Sequence, residues 1–189
     1  MTNQYGNTKF VDDFNYRNFQ FKNKYNEEFG FAAVTAEFVQ VLSKFIKLYS
    51  SKPVLEIMSG KGYLAYMLNK AGVKIIATDI QTENNKYYKI EQIEATQAIK
   101  KYAGDIDFII MSWPEYRSAS GKEALKAMRE YAANAYMIFI GENKDGCTAD
   151  DEFYDILEYA EGEIKKSFEE IESSYVPFAI VHDIPMLIK

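Results

Sequence analysis

A chain of 189 residues, 48% hydrophobic and 26% charged, has the balance of one globular domain with length enough for a substantial core. No apolar run approaches the roughly 18–20 residues of a membrane-spanning helix, so no membrane partner is expected. A lone cysteine, Cys147, closes no internal disulfide, and without paired cysteines or clustered histidines no metal is expected.

The residues Met1 to Asn7 are polar and carry no hydrophobic signal core, which with the single cysteine points to the cytoplasm. A net charge of −6 disfavours nucleic acid as a bulk partner, because phosphate binding is dominated by lysine and arginine. The local exception is an N-terminal arm, residues 1–30, ahead of a single domain over 31–189. In that arm Arg17, Lys22 and Lys24 interleave with Phe14, Tyr16, Phe19, Phe21 and Tyr25. Such a mixture either packs its aromatics on the domain or stacks single-stranded nucleic acid, and the packing role is the commoner one.

In chain order, apolar residues at Phe38, Val39, Val41, Leu42, Phe45, Ile46 and Tyr49 predict a helix over 35–49 with Thr35 as its N-cap. Pro53 opens a strand over 54–58. Gly60 and Gly62 then turn the chain into a helix bearing Leu64, Met67 and Leu68, which Gly72 ends. A second strand, 73–78, closes on Asp79, and 81–86 reads as a loop. A weaker strand over 88–93 and a short helix over 96–102 precede the cleanest buried strand, 106–111. Next come a helix over 122–134, a strand over 136–140 and a helix from Thr148 to about Ala160, with Thr148 and Asp151 as a capping box. The tail offers strands over 168–173 and 186–188, separated by a turn-rich segment that suggests an antiparallel edge hairpin. Strands alternating with helices, most of them continuous apolar runs, predict an α/β domain with about seven mostly parallel strands, an estimate from this pattern.

The chemistry concentrates after the first strand, in Glu56-Ile57-Met58-Ser59-Gly60-Lys61-Gly62-Tyr63-Leu64-Ala65. A strand ending in a glycine-rich turn before a helix puts free backbone N–H groups at the carboxyl edge of the sheet, where open α/β folds bind ligands. Two cofactors compete for this geometry. Gly60-x-Gly62-x-x-Ala65 satisfies the dinucleotide pattern, with Asp79 about 20 residues on, while an acidic residue placed before the turn points elsewhere.

The segment Glu56 to Gly62 resembles the acidic-x-Gly-x-Gly-x-Gly motif of the class I methyltransferases, with Met58 where the family has its first glycine. The resemblance implies a Rossmann-like fold and S-adenosylmethionine as cofactor. It implies Glu56 near the methionine portion, with Ser59, Gly60 and Gly62 in close backbone approach. Asp79, followed by Ile80, would meet the ribose hydroxyls, and Glu94-Ala95 the adenine amino group. After the fourth strand, Ser112-Trp113-Pro114-Glu115-Tyr116 resembles the Asn/Asp-Pro-Pro-Tyr loop of amino-group methyltransferases. Ser112 would then border the cofactor, and Trp113, Pro114 and Tyr116 the methyl acceptor. The alternative for Trp113 is an indole plugging the end of the sheet.

A wider pattern covers nearly the whole chain: Phe29-Gly30-Phe31-Ala32, Thr35-x-Glu37, the glycine turn, the 112–116 loop, Gly141-Glu142, the run 146–153 and His182-Asp183. It is similar to a group of small methyltransferase-like proteins with no assigned substrate, whose loop reads Trp-Pro-Pro-Tyr. Phe31 joins the expected cofactor contacts on this resemblance. Cys147 reads as a small turn residue, and His182 is the one imidazole available as a general base. The expected activity is methyl transfer to an unidentified acceptor. Two alternatives stay open, a non-catalytic S-adenosylmethionine-binding module and an NAD-dependent oxidoreductase.

Overall fold

The computed structural model describes residues 8–82 and 86–189, with side chains from Tyr16 onward. The polar residues 1–7, part of the 81–86 loop and the Phe14 side chain therefore lie outside the description.

The N-terminal arm is a helix for most of its length, α1 (Thr8–Glu28). Its C-terminal end packs on the domain: Phe21 and Tyr25 meet Phe178, and Phe29 meets Tyr63 and Tyr87. Tyr16 and Phe19 stay exposed. Helix α2 (Ala36–Tyr49) starts at Thr35, whose hydroxyl accepts the Phe38 N–H at 3.2 Å as its N-cap. The alternation then runs β1 (Val54–Ile57), α3 (Tyr63–Lys70), β2 (Ile75–Asp79), β3 (Ile90–Gln92), α4 (Ala95–Tyr102), β4 (Phe108–Ser112), α5 (Ser120–Tyr131) and β5 (Tyr136–Gly141). Helices α6 (Asp151–Asp155) and α7 (Gly162–Ser174) precede the last strand, β6 (Ile184–Ile188).

The strands line up as β3-β2-β1-β4-β5-β6. The first five are parallel, and β6 runs antiparallel to β5. This is a doubly wound, Rossmann-like α/β order. Period-2 alternation builds a core on each face. Val54, Phe108 and Ile110 join α2, α3 and α7 in one core, whereas Leu55, Ile57, Ile109 and Met111 join α4, α5 and α6 in the other. Sheet order reverses between β1 and β4, so their carboxyl ends part and open a crevice.

Three expectations need correction. The described sheet has six strands rather than about seven, because residues 168–173 are helical. Phe168, Ile171 and Ser174 are buried at helical spacing against α2, while Glu169 and Glu170 face water. The antiparallel edge is consequently a pairing of β5 with β6 across two helices, and not a hairpin of tail strands. The helix expected from Thr148 to Ala160 spans only Asp151–Asp155. Asp150 caps it by accepting the Phe153 N–H at 2.8 Å, and Thr148 is buried against the Glu142 backbone. Beyond it the chain is drawn into extended pairing, with Tyr159 bridged to Ile188 and the Ala160 N–H bonded to Leu187. Among the described residues no helix is long and apolar enough to cross a membrane.

Candidate functional site

The crevice holds a cavity of about 620 Å³ between the carboxyl ends of β1, β2 and β4 and the segment that follows α1. Its lining includes Phe31, Glu56, Ser59, Gly60, Asp79, Ile80, Glu94, Ala95, Ser112, Trp113 and Pro114. Those residues are dispersed over more than 80 positions of sequence, and the fold brings them to one cavity. Two candidates lie elsewhere. Gly62 caps α3, and Tyr116 is half-exposed with its ring against the Arg117 guanidinium.

The glycine turn is stitched to β2. Ser59 donates its N–H to the Thr78 carbonyl at 3.0 Å, and its hydroxyl donates to the Glu56 carbonyl while accepting the Thr78 N–H. Met58, Gly60 and Gly62 all have positive φ, at 55°, 53° and 74°. Met58 thus holds a left-handed backbone with a side chain, at a steric cost of about 1–2 kcal/mol. Of the two glycines in this turn, Gly62 is the one a side chain would crowd as well as strain. A Cβ there would lie 3.0 Å from the Tyr88 Cβ and 3.2 Å from its backbone nitrogen.

Glu56 dominates the electrostatics of the wall. It is 2% exposed, and its Oε2 has no hydrogen-bond partner among the described residues. Burial pushes its carboxyl up to about 8, against the lowering contacts of Ser59 and the Ala65 backbone; the Asp79 charge adds to the rise. Asp79, at the end of β2, accepts the Gly60 N–H at 2.8 Å and the Gln81 N–H at 2.9 Å, so it pins the turn. Glu94 is the N-cap of α4, its Oε2 accepting the Thr96 and Gln97 N–H groups at 3.0 and 3.2 Å. Burial pushes the Glu94 carboxyl up, but these bonds outweigh it and hold the group below the usual range. Ile80 leaves most of its side chain exposed at the cavity, an apolar surface beside the Asp79 carboxylate.

The opposite pole is aromatic. Trp113, at φ 51°, stacks on Phe31 with centroids 5.6 Å apart, and Lys22 Nζ of α1 lies 5.6 Å from the indole centroid. The indole N–H donates to Asp183 Oδ2 at 2.9 Å. The indole is thus a wall of the cavity, packed at one edge on the core.

Several lining or supporting residues escaped the sequence reading. Lys61, in the turn, donates to the carbonyls of Asn26 and Glu27 at the end of α1. Tyr63, Ser118 and Ser120 also line the cavity. Asp183 belonged to a recognisable pattern, yet nothing in the sequence distinguishes its buried carboxylate from a turn residue. His182 is exposed and donates its backbone N–H to Glu142, and Cys147 is exposed beside the same carboxylate. Neither lines the cavity.

No family model matches the chain, and no curated protein does. Solved structures to which it is similar include a SAM-dependent methyltransferase from Archaeoglobus fulgidus, 14% identical, with a TM-score of 0.49, 90% of this chain and 98% of that one covered. A TehB-like SAM-dependent methyltransferase from Corynebacterium glutamicum is 13% identical, with a TM-score of 0.47 and 95% and 98% of the two chains covered. The glycopeptide N-methyltransferase MtfA, complexed with S-adenosyl-L-methionine, is 15% identical, with a TM-score of 0.41 and 60% and 58% covered. The fold, by its own strand order, is doubly wound and Rossmann-like. That is a statement about architecture, and activity has to be argued from the site.

Proposed function

We propose that the chain binds S-adenosylmethionine in this cavity and transfers its methyl group to an acceptor that approaches past Trp113. The observation that carries the reading is the Glu56 carboxyl, buried on the cavity wall with Oε2 unpartnered. A buried carboxyl with an unmade bond suits a cationic donor, and the ammonium of the methionine portion is such a group. Asp79 keeps acceptor capacity beyond its two backbone bonds for the ribose hydroxyls, and Ile80 offers an apolar face to the adenine. Glu94 would meet the adenine amino group only in addition to its capping bonds.

Charge favours this cofactor over NAD. Asp79, Glu94 and Glu115 line the cavity beside Glu56, whose carboxyl an ammonium would favour ionised; among the described residues the cationic lining residue is Lys61, whose ammonium is engaged by the end of α1. A pyrophosphate would be repelled there, while a sulfonium and an ammonium are attracted. When bound, the cofactor supplies an activated methyl group, so the chain's own contribution is alignment and exclusion of water. Ser112, Trp113 and Pro114 wall the space at the carboxyl end of β4, where the acceptor would be oriented.

Calorimetry and thermal shift with S-adenosylmethionine, S-adenosylhomocysteine and NAD in parallel test the reading. Both adenosyl ligands should bind and raise the melting temperature. Stabilisation by NAD alone would overturn it.

A further inference from the structure

The aromatic pole of the cavity is tied to a buried polar node that none of the cofactor contacts uses. Asp183 is fully buried just ahead of β6. Its Oδ2 accepts the Trp113 indole N–H at 2.9 Å and the Tyr175 hydroxyl at 2.5 Å. Tyr175, the residue ending α7, accepts the Ala33 N–H at 3.0 Å with that same hydroxyl. One carboxylate oxygen therefore connects two opposed parts of the cavity wall. Trp113 is on the loop after β4, and Ala33 follows Phe31 and Ala32, which line the other side. The Phe31 and Trp113 rings meet where these walls converge.

The cost of the node argues for a purpose beyond packing. Asp183 Oδ1 is buried with no hydrogen-bond partner among the described residues, and Trp113 is held at a positive φ. A half-satisfied buried carboxylate is a poor stabiliser, and an apolar residue there would pack without the desolvation penalty. A charged acceptor does, however, fix an indole in one orientation more firmly than packing alone.

We propose that Asp183 is a positioning residue for the transfer site: through the indole N–H it fixes the plane of Trp113, and through the Tyr175 hydroxyl it fixes the facing segment from Phe31 to Ala33. The role assigned to the two walls rests on the methyltransferase reading. The tether itself is testable without any ligand.

Trp113 is the only tryptophan of the chain, so its fluorescence and its single indole N–H resonance report this site alone. In the unsubstituted protein the indole proton should exchange slowly, as protected as the amides of the buried strands. An indole proton exchanging like an exposed one would overturn the proposal, and this readout needs no variant to fold. In Asp183→Leu, indole exchange and acrylamide quenching should both accelerate, exchange by about tenfold or more, because a bond to a charged group is lost. Asp183→Asn, which keeps an acceptor for the indole, should restore both to within about threefold of the original. A lowered melting temperature in Asp183→Leu, with indole exchange unchanged relative to the core amides, would reduce Asp183 to a packing role and overturn the proposal. Tyr175→Phe should leave the indole protected while exposing the Ala33 amide to exchange; an unchanged Ala33 amide would overturn the second half of the tether. Titration with S-adenosylhomocysteine forms a separate arm. Absence of binding to the unsubstituted protein would refute the methyltransferase reading and leave the exchange results standing.

Discussion

Glu56 carries opposite consequences for stability and for binding. Its carboxyl is raised to about 8 in the folded chain, from 4.5 in an ordinary environment. The folded state thus holds a proton that the unfolded state releases. The associated stability is fully present below about pH 4.5 and is lost as pH rises through about 8. At pH 7 the loss is about 3 kcal/mol at 1.36 kcal/mol per pKa unit. Glu56→Gln removes the titration, so it should raise the melting temperature of the ligand-free protein at pH 7–8 and hardly change it near pH 5. The same variant should weaken S-adenosylhomocysteine binding, and in the unsubstituted protein affinity should climb with pH up to about 8, because an ammonium ligand favours the ionised carboxyl. Scanning calorimetry and titration across that range check both signs, and a Gln variant less stable at pH 8 would contradict the buried charge. Asp79 differs, being both pin and ligand candidate. Asp79→Ala loses its bonds to the Gly60 and Gln81 amides, and it should weaken the cofactor by about 2 kcal/mol or more if the carboxylate also meets the ribose. Unchanged affinity in the folded variant would leave Asp79 as a pin alone.

At the scale of elements, α1 ends on the wrong charge for its dipole. Its last turn carries Glu27 and Glu28 and no basic residue. The positive charge comes from outside, with Lys61 donating to the Asn26 and Glu27 carbonyls and Lys86 pairing with Glu28 at 2.6 Å. Because Lys61 sits in the glycine turn and Phe29 to Ala32 follow α1, the docked helix and the cavity wall are one mechanical unit. Lys61→Ala should therefore loosen α1, with faster proteolysis within 8–28 and a stability loss of about 1 kcal/mol, the scale of a helix-end charge interaction. S-adenosylhomocysteine should slow that proteolysis, and a cleavage rate equal to the original in Lys61→Ala would show that the aromatic contacts hold α1 alone. This element was also the least legible one in the sequence. Aromatics at 14, 16, 19, 21 and 25 obey neither a clean helical nor a strand period, and Tyr16, Phe19 and Phe21 leave most or half of their side chains exposed. In α7 the apolar residues Ile164, Phe168 and Ile171 stand at helical spacing, a period too short and too interrupted by acidic residues to be plain, and the packing of Phe168 and Ile171 with α2 in one core decided for helix. By contrast α2, β1, β2 and β4 were plain, since each combines an unbroken period with a cap or a turn residue.

For the whole molecule, cofactor-side candidates could be read because a strand, a glycine turn and an acidic residue are contiguous or nearly so in sequence. The aromatic pole, where we propose the acceptor, is assembled from 31–34, 112–115, 175 and 183, which only the closed sheet brings together. That division separates the enzyme from a binding module that keeps the pocket without transfer. Trp113 lines the cavity at the aromatic pole, whereas Tyr116 is half-exposed outside the lining. Trp113→Ala should thus leave S-adenosylhomocysteine affinity within about threefold, less than 1 kcal/mol. It should depress transfer strongly, because an opened wall admits water and no longer orients the acceptor. Tyr116→Phe should change neither quantity appreciably. The measurement is transfer of labelled methyl from S-adenosylmethionine to peptides, metabolites and nucleic acids of a cell extract, run with the unsubstituted protein and both variants. Label incorporated by the original and Tyr116→Phe proteins, and lost with Trp113→Ala at saturating cofactor, identifies an enzyme. If no fraction of the extract is labelled and Trp113→Ala loses the cofactor outright, the indole belongs to the cofactor wall, and the chain is a binding module with a Rossmann-like architecture.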